Sequence, residues 1–285
     1  MKRILITGKN SYIGNSFEEW ISQWPDKYQI TKISVRDDRW RNEDWSEYDA
    51  LLHVAGIAHN SSNASMEELY YQVNRDLTYD IAKKAKNDGI SHFVNMSSII
   101  IFGTEQEEIN SDTKPNPDNF YGDSKLQAEL KLNKLIDENF KVSNVRTPMV
   151  YGRNSKGNFL LLGKLAKATP IFPNYMNKRS MIYIKNLNEY LRKVIDLIIV
   201  GNLYPQNGEF VCTSELVVKL AKAQKNYIYT TKLFNPVIKL LSSHTIFEKM
   251  FGSLFYSTEL DDNDINYRLF NLEESIKDIY HSKEV

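Results

Sequence analysis

The chain has 285 residues, 42% of them apolar and 25% charged, with 36 Lys plus Arg against 36 Asp plus Glu. That length admits one large domain or two, and the balanced charge gives no bulk attraction to nucleic acid. The single cysteine, Cys212, excludes an internal disulfide and a cysteine-built metal centre and fits a reducing cytoplasm.

The opening, MKRILITGKN, holds an apolar run too short for a secretory leader. No stretch approaches the ~20 apolar residues of a membrane span, so a cytoplasmic location is expected. Residues 2–7 read as a strand that stops at Thr7-Gly8. Ile13, Phe17, Trp20, Ile21 and Trp24 then recur at helical spacing until Pro25. Ile30, Ile33 and Val35 suggest a second strand. The piece from Val35 to Ala50 carries Trp40 and Trp45 and has little room for a full helix and strand, which predicts an abbreviated crossover. ALLHVAG at 50–56 is a near-continuous apolar run, as in a strand buried on both faces. Met66, Leu69, Tyr70, Val73, Leu77, Ile81 and Ala85 mark a long amphipathic helix. HFVNMSS reads as a strand, 121–139 as a helix and KVSNVR as a strand. This alternation predicts an α/β protein with a Rossmann-like, doubly wound parallel sheet. After Tyr151-Gly152 the loop GRNSKGN and the proline-broken ATPIFPNYMNKRS lead into shorter elements, an α+β part laid over the carboxyl edge of the sheet. VIDLIIVG at 194–201 reads as a buried helix end.

Three stretches carry chemistry. In TGKNSYIG, Gly8 and Gly14 flank a strand-to-helix turn. Glycine allows the sharp turn and close approach of a pyrophosphate, and the helix N-terminus favours an anion; a plain turn is the other reading. In NFYGDSKLQAE, Tyr121 and Lys125 stand four apart on one helix face. Free tyrosine and lysine have pKa values of ~10 and ~10.4, but a neighbouring ammonium favours phenolate and makes Tyr121 a workable proton donor or acceptor. The other reading is an exposed helix pair. In FVNMSSIIIFG, Ser98 ends an apolar strand, where it can bond a substrate oxygen or cap a turn.

Two further features have plainer readings. His53 and His59 lack a carboxylate at metal-ligand spacing, and His53 is expected to be a packed, hydrogen-bonded core residue. Residues 232–256 are apolar with interspersed lysines; core and lid packing is expected ahead of a membrane-surface role.

Together these stretches resemble the extended short-chain dehydrogenase/reductase family, of the NAD-dependent epimerase/dehydratase type. The matching residues are Thr7-Gly8, Ser11 and Gly14, HVAGIAH at 53–59, Asn74 in QVNRDLT, Ser98 ahead of Phe102-Gly103, Tyr121 with Lys125, RTPMVYG at 146–152 and KRSMIYIKNL at 178–187. Within the family the chain is most similar to surface-polysaccharide 4-ketoreductases of the UDP-N-acetylquinovosamine-forming kind. The resemblance implies a dinucleotide-binding core over 1–152, with segments near 180–212 returning to it, and a mainly substrate-binding part over 153–285.

It implies that Tyr121 passes a proton to or from a C4 oxygen, that Ser98 bonds the same oxygen, and that Lys125 holds the nicotinamide ribose and lowers the Tyr121 pKa. Cofactor contacts fall to Gly8, Ser11, Tyr12, Ile13, Gly14, Arg36, Ala55, Gly56 and Asn74. Arg179 matches an arginine that pairs with the sugar-nucleotide diphosphate, with a surface salt bridge as the alternative, and Asn158 is a further substrate contact. No metal is implied. Ser11 stands where the family has a middle glycine, predicting modest crowding of the pyrophosphate. Phe102 replaces a common tyrosine and Thr147 a common proline. In SVRDDRW, Arg36 falls where a residue meets the adenosine ribose, with Asp37 next and Arg39 near enough to assist; this favours NADP over NAD.

The implied function is NAD(P)-dependent reduction of a UDP-linked 4-keto sugar, a 4-keto-6-deoxy-N-acetylhexosamine, in bacterial capsule or O-antigen synthesis. A UDP-hexose 4-epimerase with tightly held NAD and a non-catalytic dinucleotide-sensing regulator are the alternatives. A homodimer through apolar stripes on the helices at 66–88 and 119–139 is expected, with no nucleic-acid partner and no membrane span.

Overall fold

Ile4, Leu5 and Ile6 are fully buried, as in a strand covered on both faces. The computed structural model describes residues 1–58, 63–241, 245–260 and 265–281, and gives this strand, β1, as Lys2–Thr7. His59 lies outside the described residues. Helix α1 (Tyr12–Ile21) follows, then β2 (Tyr28–Ile33), β3 (Ala50–His53), the short helix α2 (Glu67–Tyr70), a π-helical segment Tyr71–Leu77, α3 (Thr78–Asn87) and β4 (His92–Ser98). The two-residue strand β5 (Glu108–Ile109), α4 (Phe120–Asn133) and β6 (Lys141–Thr147) complete the first half.

The main sheet has six strands, all parallel: β2, β1, β3, β4, β6 and β10 (Gly201–Leu203) in spatial order. The chain leaves β1 toward β2, then crosses back over it to β3. The carboxyl ends of β1 and β3 therefore flank the switch point where open α/β sheets bind ligands. The crossover between β2 and β3 is abbreviated as expected, a 3-10 turn at Asp38–Asn42 closed by Trp40 and Trp45, both buried and stacked 5.7 Å apart. β2 ends at Ile33, two residues short of the expected Val35.

The second half contains β7 (Met149–Tyr151), α5 (Asn158–Ala168), β8 (Ile171–Pro173), β9 (Met181–Tyr183), α6 (Ile184–Leu197), β10, α7 (Thr213–Ala223), β11 (Tyr229–Thr231), α8 (Asn235–Leu240), α9 (Thr245–Phe251), β12 (Phe255–Tyr256) and α10 (Leu272–His281). It forms three small parallel pairs, β8 with β11, β5 with β12 and β7 with β9. α6 and β10 return to the main sheet, α6 against α1 and β10 beside β6.

The structure refines four sequence readings. The apolar tail at 194–201 is buried only at Val194 and Ile195; Ile198 caps α6 in the left-handed conformation and, with Leu197 and Val200, faces solvent. The apolar residues of the helices at 66–88 and 119–139 serve the chain's own interior. Tyr70, Ile81, Ala85, Ala128 and Leu132 are buried, and the outer surface carries Arg75, Asp76 and Lys131 in ion pairs, with Leu69 and Leu130 exposed. The helix expected to reach residue 139 stops at Asn133. The stretch 232–256 divides: Phe251, Leu254, Phe255 and Tyr256 are core, whereas Leu233, Val237 and Leu240 are exposed.

Candidate active site

The turn after β1 is built by two glycines and a cap. Gly8 has a φ of +92°, which side chains disfavour, and a Cβ there would lie 3.2 Å from the Ala55 nitrogen. Gly14 sits in α1 with its face against the sheet; a Cβ would fall 2.5 Å from Ser11 Oγ and 3.1 Å from the Ile6 side chain. Ser11 is the N-cap of α1, its Oγ accepting the Gly14 N–H at 3.1 Å. The serine at the middle position thus satisfies one of the first-turn amides, and its oxygen is engaged with the backbone. The amides of Tyr12 and Ile13 stand in the first turn, where no intrahelical acceptor is available. The Tyr12 ring turns inward: a Cβ on Gly152 would lie 2.6 Å from its hydroxyl, which is buried with no hydrogen-bond partner among the described residues. Burial pushes its pKa well up. Only the backbone of Tyr12 is offered to a cofactor phosphate.

At the end of β3, Asn74 clamps the backbone that follows Gly56. Its Oδ1 accepts the Ile57 N–H at 2.8 Å, and its Nδ2 donates to the Ile57 carbonyl at 3.0 Å and to Ser124 Oγ at 3.1 Å. Asn74 therefore positions the turn and links it to α4. His53 is the packed residue expected: Nδ1 pairs with Thr7 Oγ1 at 2.7 Å, Nε2 with Thr78 Oγ1 at 2.9 Å, and the ring stacks on Phe93. Burial and the nearby Lys125 charge push its pKa down to about 3, so it stays neutral.

The end of β4 and the start of α4 bring Ser98, Tyr121 and Lys125 together. Asn119 caps α4, accepting the Gly122 N–H at 3.0 Å, which fixes Tyr121 in the first turn. Burial raises the Tyr121 phenol pKa, and the neighbouring Ser98 side chain opposes that shift. Ser98 Oγ accepts the Ile100 N–H at 3.4 Å and so caps the 3-10 turn Ile99–Phe102. Lys125 is buried, donates from Nζ to the Met96 carbonyl at 2.8 Å, and lies against Gly56, whose Cβ would come within 3.3 Å of Nζ. Burial lowers its pKa to about 8, opposed by the Glu129 carboxylate. The Met96 carbonyl draws the Lys125 ammonium onto β4, and the group opposing the burial shift of the Tyr121 phenol is Ser98.

The remaining expected residues make no hydrogen bond to these three side chains among the described residues. Arg36 is exposed, and its guanidinium has no partner among the described residues. Asp37, by contrast, is occupied: it accepts the Arg39 N–H and holds the Arg39 guanidinium through Nε at 3.0 Å and Nη2 at 2.7 Å. Arg39 thus pairs with Asp37 at the surface. Asn158 opens α5, half-buried. Arg179 does not form the surface salt bridge considered from sequence. Its Nη1 donates to the carbonyls of Glu248, Lys249 and Gly252 at 3.4, 3.1 and 2.9 Å, closing the end of α9. Burial lowers its pKa, with Glu248 opposing. The half-buried guanidinium is held by carbonyls rather than by a carboxylate, so its charge is not neutralised by these bonds. Phe102 is buried with the Arg146 guanidinium 5.3 Å from its ring centroid, and Thr147 Oγ1 donates to the Ser97 carbonyl at 3.0 Å.

Sequence reasoning missed Glu129 and Arg146. Both are buried, and Arg146 grips the Glu129 carboxylate through Nη2 at 2.7 Å and Nε at 3.2 Å. Ser97 donates to the same carboxylate at 2.5 Å, and Arg146 Nη1 donates to the Tyr204 hydroxyl at 2.8 Å. The available signal was the spacing: Glu129 follows Lys125 by one helical turn, as Lys125 follows Tyr121.

The fold defines a class: α/β enzymes whose parallel sheet presents a glycine turn and helix N-terminus at its carboxyl edge. The model of the NAD dependent epimerase/dehydratase family matches residues 4–198, and the chain belongs to that family, an NAD(P)-dependent group of the extended short-chain dehydrogenase/reductase type. A UDP-glucose 4-epimerase of Vibrio cholerae is 29% identical over 89% of this chain and 86% of its own. An N-acetyl-alpha-D-glucosaminyl-diphospho-ditrans,octacis-undecaprenol 4-epimerase of Escherichia coli O157:H7 is 26% identical over 61% of this chain and 54% of its own. The structure of UDP-N-acetylglucosamine 4-epimerase from Bacillus cereus superposes with a TM-score of 0.78 over 98% of both chains at 18% identity, a likeness of fold.

Proposed function

We propose that the protein reduces the C4 ketone of a UDP-linked sugar, a 4-keto-6-deoxy-N-acetylhexosamine of bacterial capsule or O-antigen synthesis, in the cytoplasm. The placement of Ser98 at the end of β4 and of Tyr121 in the first turn of α4, with buried Lys125 one helical turn further on, carries this reading. A dinucleotide fits the residues present: the Gly8 turn, the missing Cβ at Gly14 and the amides of Tyr12 and Ile13 suit the pyrophosphate, with Ala55 and Gly56 on the adenosine side. When bound, the cofactor supplies the hydride. Tyr121 then delivers its hydroxyl proton to the C4 oxygen, and Ser98 bonds the same oxygen and holds the phenol in line. Burial favours the protonated phenol, the form a reductase needs. Lys125 bonds the nicotinamide ribose, and Arg179 with Asn158 takes the diphosphate end of the substrate, which we place over residues 153–285.

Arg36 supports NADP: it is the unpaired cation after β2, while Asp37, the acid that would bond a ribose hydroxyl, is held by Arg39. A UDP-sugar 4-epimerase with retained NAD is the second reading, favoured because both curated relatives bear 4-epimerase names. A homodimer would use the outer face of α2 and α4, where Leu69 and Leu130 are exposed. The test is incubation with a panel of UDP-4-keto-sugars and NADPH, with product identification. Net NADPH oxidation with a UDP-hexosamine product supports the reductase. Cofactor retained through purification and interconversion of UDP-hexoses without net oxidation overturns it in favour of the epimerase.

A further inference from the structure

The charges of this chain balance overall but are segregated along it. Residues 139–188 contain no Asp or Glu, and neither do residues 216–247. The fold brings these two acid-free stretches together. Strand β11 pairs with β8 in parallel, setting Tyr229 beside Ile171. Asn226 Nδ2 donates to the Ala166 carbonyl at 2.8 Å and ties the turn after α7 to the end of α5. Asn235 Nδ2 donates to the Asn174 carbonyl at 3.0 Å and ties α8 to the segment after β8.

The surface so formed is apolar and basic at once. Leu233, Val237 and Leu240 recur at the spacing of one helical face and point outward, while Ile238 turns into the core. Tyr227 is 86% exposed, Tyr229 78%, Leu233 78% and Leu240 82%, values far from those of ordinary interior-facing side chains. Lys164, Lys167, Lys225 and Lys232 are exposed around them and enter no ion pair among the described residues. Apolar side chains flanked by tyrosines and unpaired lysines are what an anionic bilayer interface selects: leucines enter the acyl boundary, tyrosines sit at the headgroups, and lysines meet the phosphates. A neutral partner surface would leave those lysines unmatched. No described helix is long and apolar enough to cross a membrane, so the contact would be with one leaflet.

We propose that the surface formed by β11, α8 and the neighbouring end of α5 docks the protein on a membrane rich in anionic phospholipid. Its charge complementarity is the deciding feature, and the inference stands apart from the sugar chemistry. The test is co-sedimentation of the full chain with phosphatidylglycerol–phosphatidylcholine vesicles and with phosphatidylcholine vesicles, at about 0.1 M and about 1 M salt. Binding to the anionic vesicles alone, weakened at high salt, is expected. Lys225→Gln and Lys232→Gln should each weaken it about fivefold. Leu233→Ser combined with Leu240→Ser should weaken it at least about tenfold, with turnover in free solution unchanged. Absence of binding to anionic vesicles, or equal binding by these variants, overturns the proposal. So does a patch variant that splits an assembly of copies while the native chain ignores vesicles, since the face is then covered by a second copy.

Discussion

The Arg146 guanidinium and the Glu129 carboxylate form a buried, two-pronged ion pair one helical turn from Lys125. Ser97 and Tyr204 complete its hydrogen bonding, so the pair is satisfied on both sides. It anchors α4 to β6, beneath the stretch of helix that carries Tyr121 and Lys125.

Removing one partner leaves the other buried and uncompensated. Glu129→Ala is expected to cost about 3–5 kcal/mol of stability. Urea unfolding of the variant beside the native chain measures it. A cost below about 1 kcal/mol would show that water reaches Arg146 and that the pair is not an anchor.

Lys125 gives stability a pH signature. Its folded pKa is lowered to about 8 by burial, against an ordinary ~10.4 when unfolded. Between those values the unfolded chain binds one more proton than the folded chain, so this group makes stability rise with pH from about 8 to about 10.4. Below about 8 both states are protonated and its full penalty is present. Lys125→Met should be more stable than the native chain at pH 7, by up to about 3 kcal/mol, and the difference should shrink as pH rises through that window. A constant difference across the window would contradict the depressed pKa.

Tyr121→Phe removes the proton donor and little packing. Turnover should fall by about 10²–10⁴-fold while dinucleotide affinity stays within about threefold. Steady-state rates and fluorescence titration with NADPH check both halves, and native-like turnover would remove Tyr121 from the mechanism.

Gly14→Val should abolish dinucleotide binding. Its Cβ would meet Ser11 Oγ at 2.5 Å and the Ile6 and Val54 side chains at 3.1 and 3.2 Å. Ser11→Gly should bind normally, with a stability loss of only a few tenths of a kcal/mol for the exchanged cap. Calorimetric titration and thermal unfolding of the two variants separate these outcomes.

Arg36→Ala should weaken NADPH by about 10–100-fold and NADH hardly at all, the scale of a lost charge-assisted hydrogen bond. Equal losses for the two cofactors would refute the NADP assignment.

Local signals settled much of this protein in advance. The run Ile4-Leu5-Ile6 specified a doubly covered strand because continuous apolarity admits no solvent face, and the short piece holding Trp40 and Trp45 specified an abbreviated crossover because it lacks the length for more. The four-residue step from Tyr121 to Lys125 specified a shared helix face because the helical repeat fixes it. Tertiary structure alone decided where the polar ends went. Lys125 Nζ reaches the Met96 carbonyl on a neighbouring strand, Ser11 Oγ returns to the Gly14 amide, Arg39 takes Asp37 and leaves Arg36 unpaired, and Arg179 closes α9. Glu129 meets Arg146 only because β6 lies under α4. Periodicity records which face of an element is buried; which donor meets which acceptor depends on distances between elements that no local pattern contains.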